Sequence, residues 1–162
     1  MILKNNDINK IYNMIENKLE EIIPVEWEKI ILYAEVTEDL VISYFYFYES
    51  NKREPVYSLD IDEEYNLDDE EVEELSDELD ECLRELWKVF LLEKQKQWTN
   101  ITMYINNKRE FNIDYDYNDI RNEDPYKQHI IWRYEKLGLY PVKERERDVR
   151  IIEDYINVKR SN

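Results

Sequence analysis

Between Asp60 and Glu81 the chain carries fourteen carboxylates in 22 residues, with no Lys or Arg among them. Acids at this density can coordinate a hard cation, pass protons between paired groups, or attract a basic partner. Spacing tests the first. Counted from Asp60, the ligand positions of an EF-hand loop fall on Asp60, Asp62, Glu64, Asn66, Asp68 and Glu71, with Leu67 at the apolar position. Tyr65, however, stands where that loop needs Gly for its sharp turn, and a strand rather than a helix is expected ahead of it. So acidic a segment meets the pattern readily by chance. No metal is expected, and a calcium-binding module is kept only as an alternative. Asp114 and Asp116 alternate onto one face of an expected strand, as acid/base partners would, but nothing around them outlines a cleft. Surface charge is the simpler reading.

Other catalytic groups are sparse. The one histidine, His129, sits in the run KQHIIWRY and reads as a helix-surface or core-edge residue. The one cysteine, Cys82, lies on an apolar helix stripe and reads as a core thiol. No His/Cys set has zinc spacing, no Ser stands in a nucleophile elbow, and a single Gly excludes the usual phosphate-cradling loops. Neither an enzyme nor a cofactor is expected.

The elements that must carry these residues follow from periodicity. Apolar residues at Ile8, Ile11, Tyr12, Ile15, Leu19 and Ile22 predict a helix over 7–22, stopped by Pro24. Strands are expected over Trp27–Val36 and Leu40–Glu49. In the second, Val41, Phe45 and Phe47 take the core face and Ile42, Tyr44, Tyr46 and Tyr48 the other. A third strand is expected over Pro55–Ile61. Asp68 then caps a long helix whose apolar stripe is Val72, Leu75, Leu79, Cys82, Leu83, Leu86 and Phe90, ending near Lys94–Lys96 with a basic last turn. A hairpin of Trp98–Ile105 and Glu110–Tyr117 turns at Asn106–Arg109, with Phe111, Ile113, Tyr115 and Tyr117 on one face and Asn112, Asp114 and Asp116 on the other. Helices over Pro125–Leu137, closed by Gly138, and Lys143–Val158 finish the chain. The order α-β-β-β-α-β-β-α-α predicts an α+β fold: one domain over 1–162, with an antiparallel sheet of about five strands packed against helices.

The acidic stretch therefore enters a core helix. Like charges four apart, Glu70/Glu74, Glu73/Asp77, Glu74/Glu78 and Asp77/Glu81, cost roughly 1–2 kcal/mol together. One large buried apolar side chain offsets that, at about 1.5–3 kcal/mol. A chain needing only solubility would intersperse bases. Of a net charge of -17, the stretch supplies most, since elsewhere 25 acids face 22 bases. The imbalance is local, as a directed surface would be, although a solvated face accounts for it too. Direct contact with nucleic acid or an anionic membrane would need a basic patch and is not expected. A basic protein partner fits. Aromatic content of 14% argues for a folded chain. The lone cysteine and the absence of a signal-like or membrane-length apolar run suit a cytoplasmic protein.

The motifs also carry a resemblance. An amphipathic helix containing Ile11-Tyr12 leads to Ile23-Pro24-Val25-Glu26-Trp27-Glu28-Lys29-Ile30. The aromatic strand follows, then Asp62-Glu63-Glu64-Tyr65-Asn66, then Trp98-Thr99 and Phe111-Asn112-Ile113-Asp114-Tyr115-Asp116-Tyr117. Near the end stands Trp132-Arg133-Tyr134-Glu135-Lys136-Leu137-Gly138-Leu139-Tyr140-Pro141. This ordered set, from about Ile11 to Ile156, resembles the YezG/EsaG-type immunity proteins of low-GC Gram-positive bacteria. The resemblance implies a cytoplasmic antitoxin encoded beside a toxin exported by the type VII secretion system. The immunity protein would bind the toxin's C-terminal domain, often a nuclease, and protect the producing cell. It implies no catalytic residues. The turn Asn106–Arg109 departs from the family, where a Gly is common, and that alters a loop tip and bears on partner specificity.

A nuclease must hold a polyanion, so its active surface is basic, and a helix studded with carboxylates can occupy it. The expected contacts are Glu70, Glu73, Glu74, Asp77, Glu78 and Glu81, with Asp114 and Asp116 secondary. On a helical wheel Glu70, Glu74, Asp77 and Glu81 point most directly away from Val72, Leu79 and Phe90. Exposed aromatics would supply anchoring energy and charge would set rate and selectivity. The main alternative is a DNA-mimic regulator that binds a host DNA-binding protein through the same acidic wall.

Overall fold

The structure is a computed structural model that describes residues 5–162. Its elements are α1 (Asn5–Ile22), β1 (Trp27–Val36), β2 (Val41–Glu49), β3 (Val56–Tyr57), α2 (Ile61–Glu64), α3 (Asp69–Leu92), β4 (Asn100–Asn106), β5 (Phe111–Asp116), α4 (Pro125–Leu137) and α5 (Glu146–Ser161). This is the expected α+β order with a five-stranded antiparallel sheet, plus one short extra helical turn at α2. The chain divides into two compact units, one ending at Asn118 and one running from Asp119 to Asn162.

In the first unit the sheet order is β3-β2-β1-β4-β5, so β1 is central. Its position follows from composition: Ile30, Leu32, Ala34 and Val36 on one face and Ile31 and Tyr33 on the other are all buried. α3 carries the chain from the β3 side of the sheet to the β4 side. It lies beside α1, and both drive their apolar stripes into one core. Ile15 and Leu19 of α1 and Leu83 and Leu86 of α3 are fully buried against Phe47, Ile101 and Met103. Cys82 is a core thiol, as its stripe position implied, and burial pushes it above the ordinary thiol range.

The opposite face of the sheet is tyrosine-rich. Tyr33 stacks on its cross-strand partner Tyr44, ring centroids 4.9 Å apart, and Tyr46 on Tyr57 at 4.8 Å. Tyr33, Tyr46 and Tyr48 are buried, and Tyr44 is half-buried.

Among the boundaries that differ from the sequence expectation, three have a clear local reason. β3 stops after two residues instead of running to Ile61, because the Ser58 hydroxyl accepts the Phe45 N–H (3.1 Å) that the next ladder bond would use. The chain then winds through a 3-10 turn, Ser58–Asp60, into α2. α5 starts at Glu146, not Lys143, since Val142–Arg145 closes a turn with the Arg145 N–H on the Val142 carbonyl. α3 ends at Leu92 and has no base in its last turn. The Lys94 N–H bonds the Leu91 carbonyl (3.1 Å) and the Gln95 N–H that of Phe90 (2.8 Å), the paired bonds of a Schellman cap.

That cap holds Lys94 at φ 56°, where Gly is the usual residue. A side chain in this region costs about 1–2 kcal/mol, partly offset by the greater freedom Gly has when unfolded. Lys94→Gly is therefore expected to raise stability by about 0.5–1 kcal/mol in urea denaturation. A loss of stability would show that the Lys94 side chain holds the helix end in some other way.

Candidate functional site

Asp68 opens α3 by accepting the Glu70 N–H at 3.0 Å, and the first-turn acids Asp69, Glu70 and Glu71 complement the positive end of the helix dipole. The dipole does not account for the acids beyond that turn. Glu70, Glu73, Glu74, Asp77 and Glu81 are exposed, and none of the five makes an ion pair among the described residues. They exist as a stripe because Leu79, Leu83 and Leu86 commit the other face of the helix to the core. At 1.5 Å per residue, Glu70 to Glu81 spans about 16 Å.

Glu78, the sixth expected contact, is placed differently. It lies on the α1 side and accepts from Lys18 Nζ at 2.5 Å, holding that ammonium above its ordinary range. Part of its charge is already matched within the fold. Sequence reasoning missed Asp80, which is half-buried and accepts from the Ser43 hydroxyl at 2.5 Å. Burial pushes its carboxyl above the usual range, against the opposing effect of that hydrogen bond, with Asp77 and Glu81 adding to the rise. It missed Arg84 too, whose Nη1 donates to the Thr37 and Glu38 carbonyls (3.3 and 3.2 Å) and ties α3 to the β1–β2 turn. Val41, Glu74, Asp77, Glu78, Asp80, Glu81 and Arg84 together line a shallow groove beside the stripe. The only local sign of Ser43 was its polarity within an aromatic strand.

Asp114 and Asp116 do not join this surface. Ile113 and Tyr115 of β5 turn toward the core that α3 covers, so the alternating Asp114 and Asp116 look out on the opposite side of the sheet. Asp114 is exposed. Asp116 Oδ1 accepts the Asn118 N–H at 2.9 Å and so shapes the end of the strand. The turn Asn106–Arg109 is built without Gly by Asn106 Oδ1, which accepts from the Lys108 and Glu110 N–H groups, and by Arg109 at φ 65°. Arg109 also reaches back to α1 and pairs with Glu16 (2.9 Å) and Glu20 (2.6 Å), so this tip is fastened to the helix.

The acidic loop ahead of α3 does not have the geometry of a cation loop. Ile61 is fully buried, 61–64 is helical, and Tyr65 packs against the core with its hydroxyl on Glu49 at 3.1 Å, raised to about 12 by burial and that carboxylate. Among the described residues no three His, Cys, Asp or Glu side chains converge as metal ligands, and no helix is long and apolar enough to cross a membrane.

In the second unit, Asp124 caps α4 and Gly138 closes it at φ 68°. Burial, with Arg133 adding to it, lowers His129 to about 4, so the imidazole is neutral at pH 7 and poorly matched to proton transfer there. The unfolded chain binds the same proton near 6.5. Its contribution to stability is thus complete above pH 6.5 and is lost as pH falls toward 4. His129→Gln is expected to flatten the stability–pH curve across that window, and an unchanged slope would contradict the burial seen here.

A model of the family described as "Immunity protein YezG-like" matches residues 8–151. The chain is 36% identical over 148 residues to a Bacillus spizizenii protein named Immunity protein YezG, across 90% of this chain and 91% of that one. It is 36% identical over 140 residues to the Bacillus subtilis protein of the same name, across 85% and 93%. It is 29% identical over 152 residues to a Staphylococcus aureus protein named Type VII secretion system protein EsaG, across 92% and 93%.

Proposed function

The chain belongs to the YezG-like immunity protein family, and from that premise we propose that it binds and neutralises a cognate secreted toxin. The toxin's C-terminal domain is a nuclease, the toxin leaves by type VII secretion, and the immunity protein meets it in the cytoplasm. Glu70, Glu73, Glu74, Asp77 and Glu81 are the main contacts, with Glu78 and the groove around Asp80 at their flank. A nuclease surface that holds nucleic acid is basic, and the exposed stripe of α3 offers it opposite charge. The observation that carries this reading is that five carboxylates on one helix face stand exposed with no ion pair among the described residues. Binding, not catalysis, is the activity, in keeping with a single histidine held neutral at pH 7.

Co-expression tests the proposal. The C-terminal domain of the toxin encoded beside this gene should arrest growth of a bacterial host, and this protein should restore it. Arrest that persists when both proteins accumulate in soluble form would sink the immunity reading for that toxin. An unbiased pull-down that instead recovered a host DNA-binding protein would support the DNA-mimic reading.

A further inference from the structure

β5 ends the sheet, and no strand lies beyond it among the described residues. Its register tells which backbone groups are spare. Asn106 N–H donates to the Glu110 carbonyl, and the alternation of an antiparallel ladder then directs the backbone groups of Asn112 and Asp114 inward to Tyr104 and Thr102, while the Asp116 carbonyl also faces inward and accepts the Thr99 N–H. The N–H and C=O groups of Phe111, Ile113 and Tyr115 point outward, along a six-residue edge whose Phe111, Asn112 and Asp114 side chains are exposed. The opposite edge is not comparable. β3 has two residues and is closed by the Ser58 hydroxyl bond and a helical turn.

We propose that the outer edge of β5 is a second contact for the toxin, receiving one of its extended segments as an added antiparallel strand. The inference rests on the immunity reading and extends it to a surface separate from α3. Charge selects the occupant. A strand laid along β5 has its side chains beside Asp114 and Asp116 on one face and beside Phe111, Ile113 and Tyr115 on the other. It therefore carries Lys or Arg alternating with apolar residues. A second copy of β5 fits poorly. It would bring Asp114, Asp116 and Glu110 close to their own counterparts and join two chains of net charge -17. The acids on β5 thus reject self-pairing and admit a basic strand, with backbone bonds giving affinity and alternate side chains giving selectivity.

Residue-resolved amide hydrogen exchange, on the protein alone and mixed with the toxin's C-terminal domain, tests this. In the free protein Asn112 and Asp114 should exchange slowly and Phe111, Ile113 and Tyr115 fast. In the complex the three fast amides should slow by roughly tenfold or more, the factor that one net hydrogen bond corresponds to. A complex in which they stay fast overturns the edge contact and leaves the immunity reading standing. Uniform slowing of all amides on the strand also overturns it, since mere covering does not follow the ladder's alternation. Absence of any complex overturns the immunity reading, and the proposed occupant with it.

Discussion

Replacing Glu70, Glu74, Asp77 and Glu81 together with Lys is expected to weaken toxin binding by about 3 kcal/mol or more, over a hundredfold in Kd. The sign follows from charge facing charge. Four attractive contacts with a basic surface become four repulsive ones, so association slows as well as dissociation quickening. The fold should tolerate the change, because all four side chains are exposed and none holds an ion pair among the described residues. Two repulsive spacings, Glu73 with position 77 and position 74 with Glu78, even become attractive. Wild-type affinity should fall as salt rises, while the variant's should respond less or in the opposite direction. Titration calorimetry at low and physiological ionic strength reads both effects. Equal affinity and equal salt dependence would place the interface away from α3.

The second large effect is on stability. Leu83→Ala should cost about 2–5 kcal/mol, the range for deleting a large aliphatic side chain from a packed core. Leu83 is fully buried in the cluster that α1, α3 and the sheet share, so the space it leaves has little freedom to collapse. Urea denaturation should show a lower midpoint with an unchanged slope. The acidic stripe depends on this seat, since Leu79, Leu83 and Leu86 orient the helix that presents it. A loss below about 1 kcal/mol would mean that α3 is not held as described.

What could be read in the sequence was whatever a short window contains. The apolar spacing of α3, the Asp68 cap, the alternation of β4 and β5 and the Gly138 stop each depend on residues within a few positions of one another, and each is found in the structure. What could not be read depends on residues far apart. Ser58 ends β3 by reaching a strand 13 positions back. Asp80 is half-buried because Ser43 lies beneath it, and Arg109 anchors its turn on carboxylates more than 80 positions upstream. Lys94 in a left-handed cap was hidden by its type, since no rule of composition points to a lysine there. The separation of Asp114 and Asp116 from the α3 acids, by contrast, is written in a short-range pattern. Ile113 and the α3 stripe seek the same core, so the residues alternating with Ile113 must look away.

The role of α3 is tested most directly by titrating the toxin domain's DNA cleavage with this protein and with its four-Lys α3 variant, at low and physiological salt. The wild-type protein should stop cleavage at one equivalent, and the folded variant should leave most activity at the same dose. Complete protection by the variant at the wild-type dose would contradict the role given to α3. Failure of the wild-type protein to protect at all would contradict immunity against that toxin.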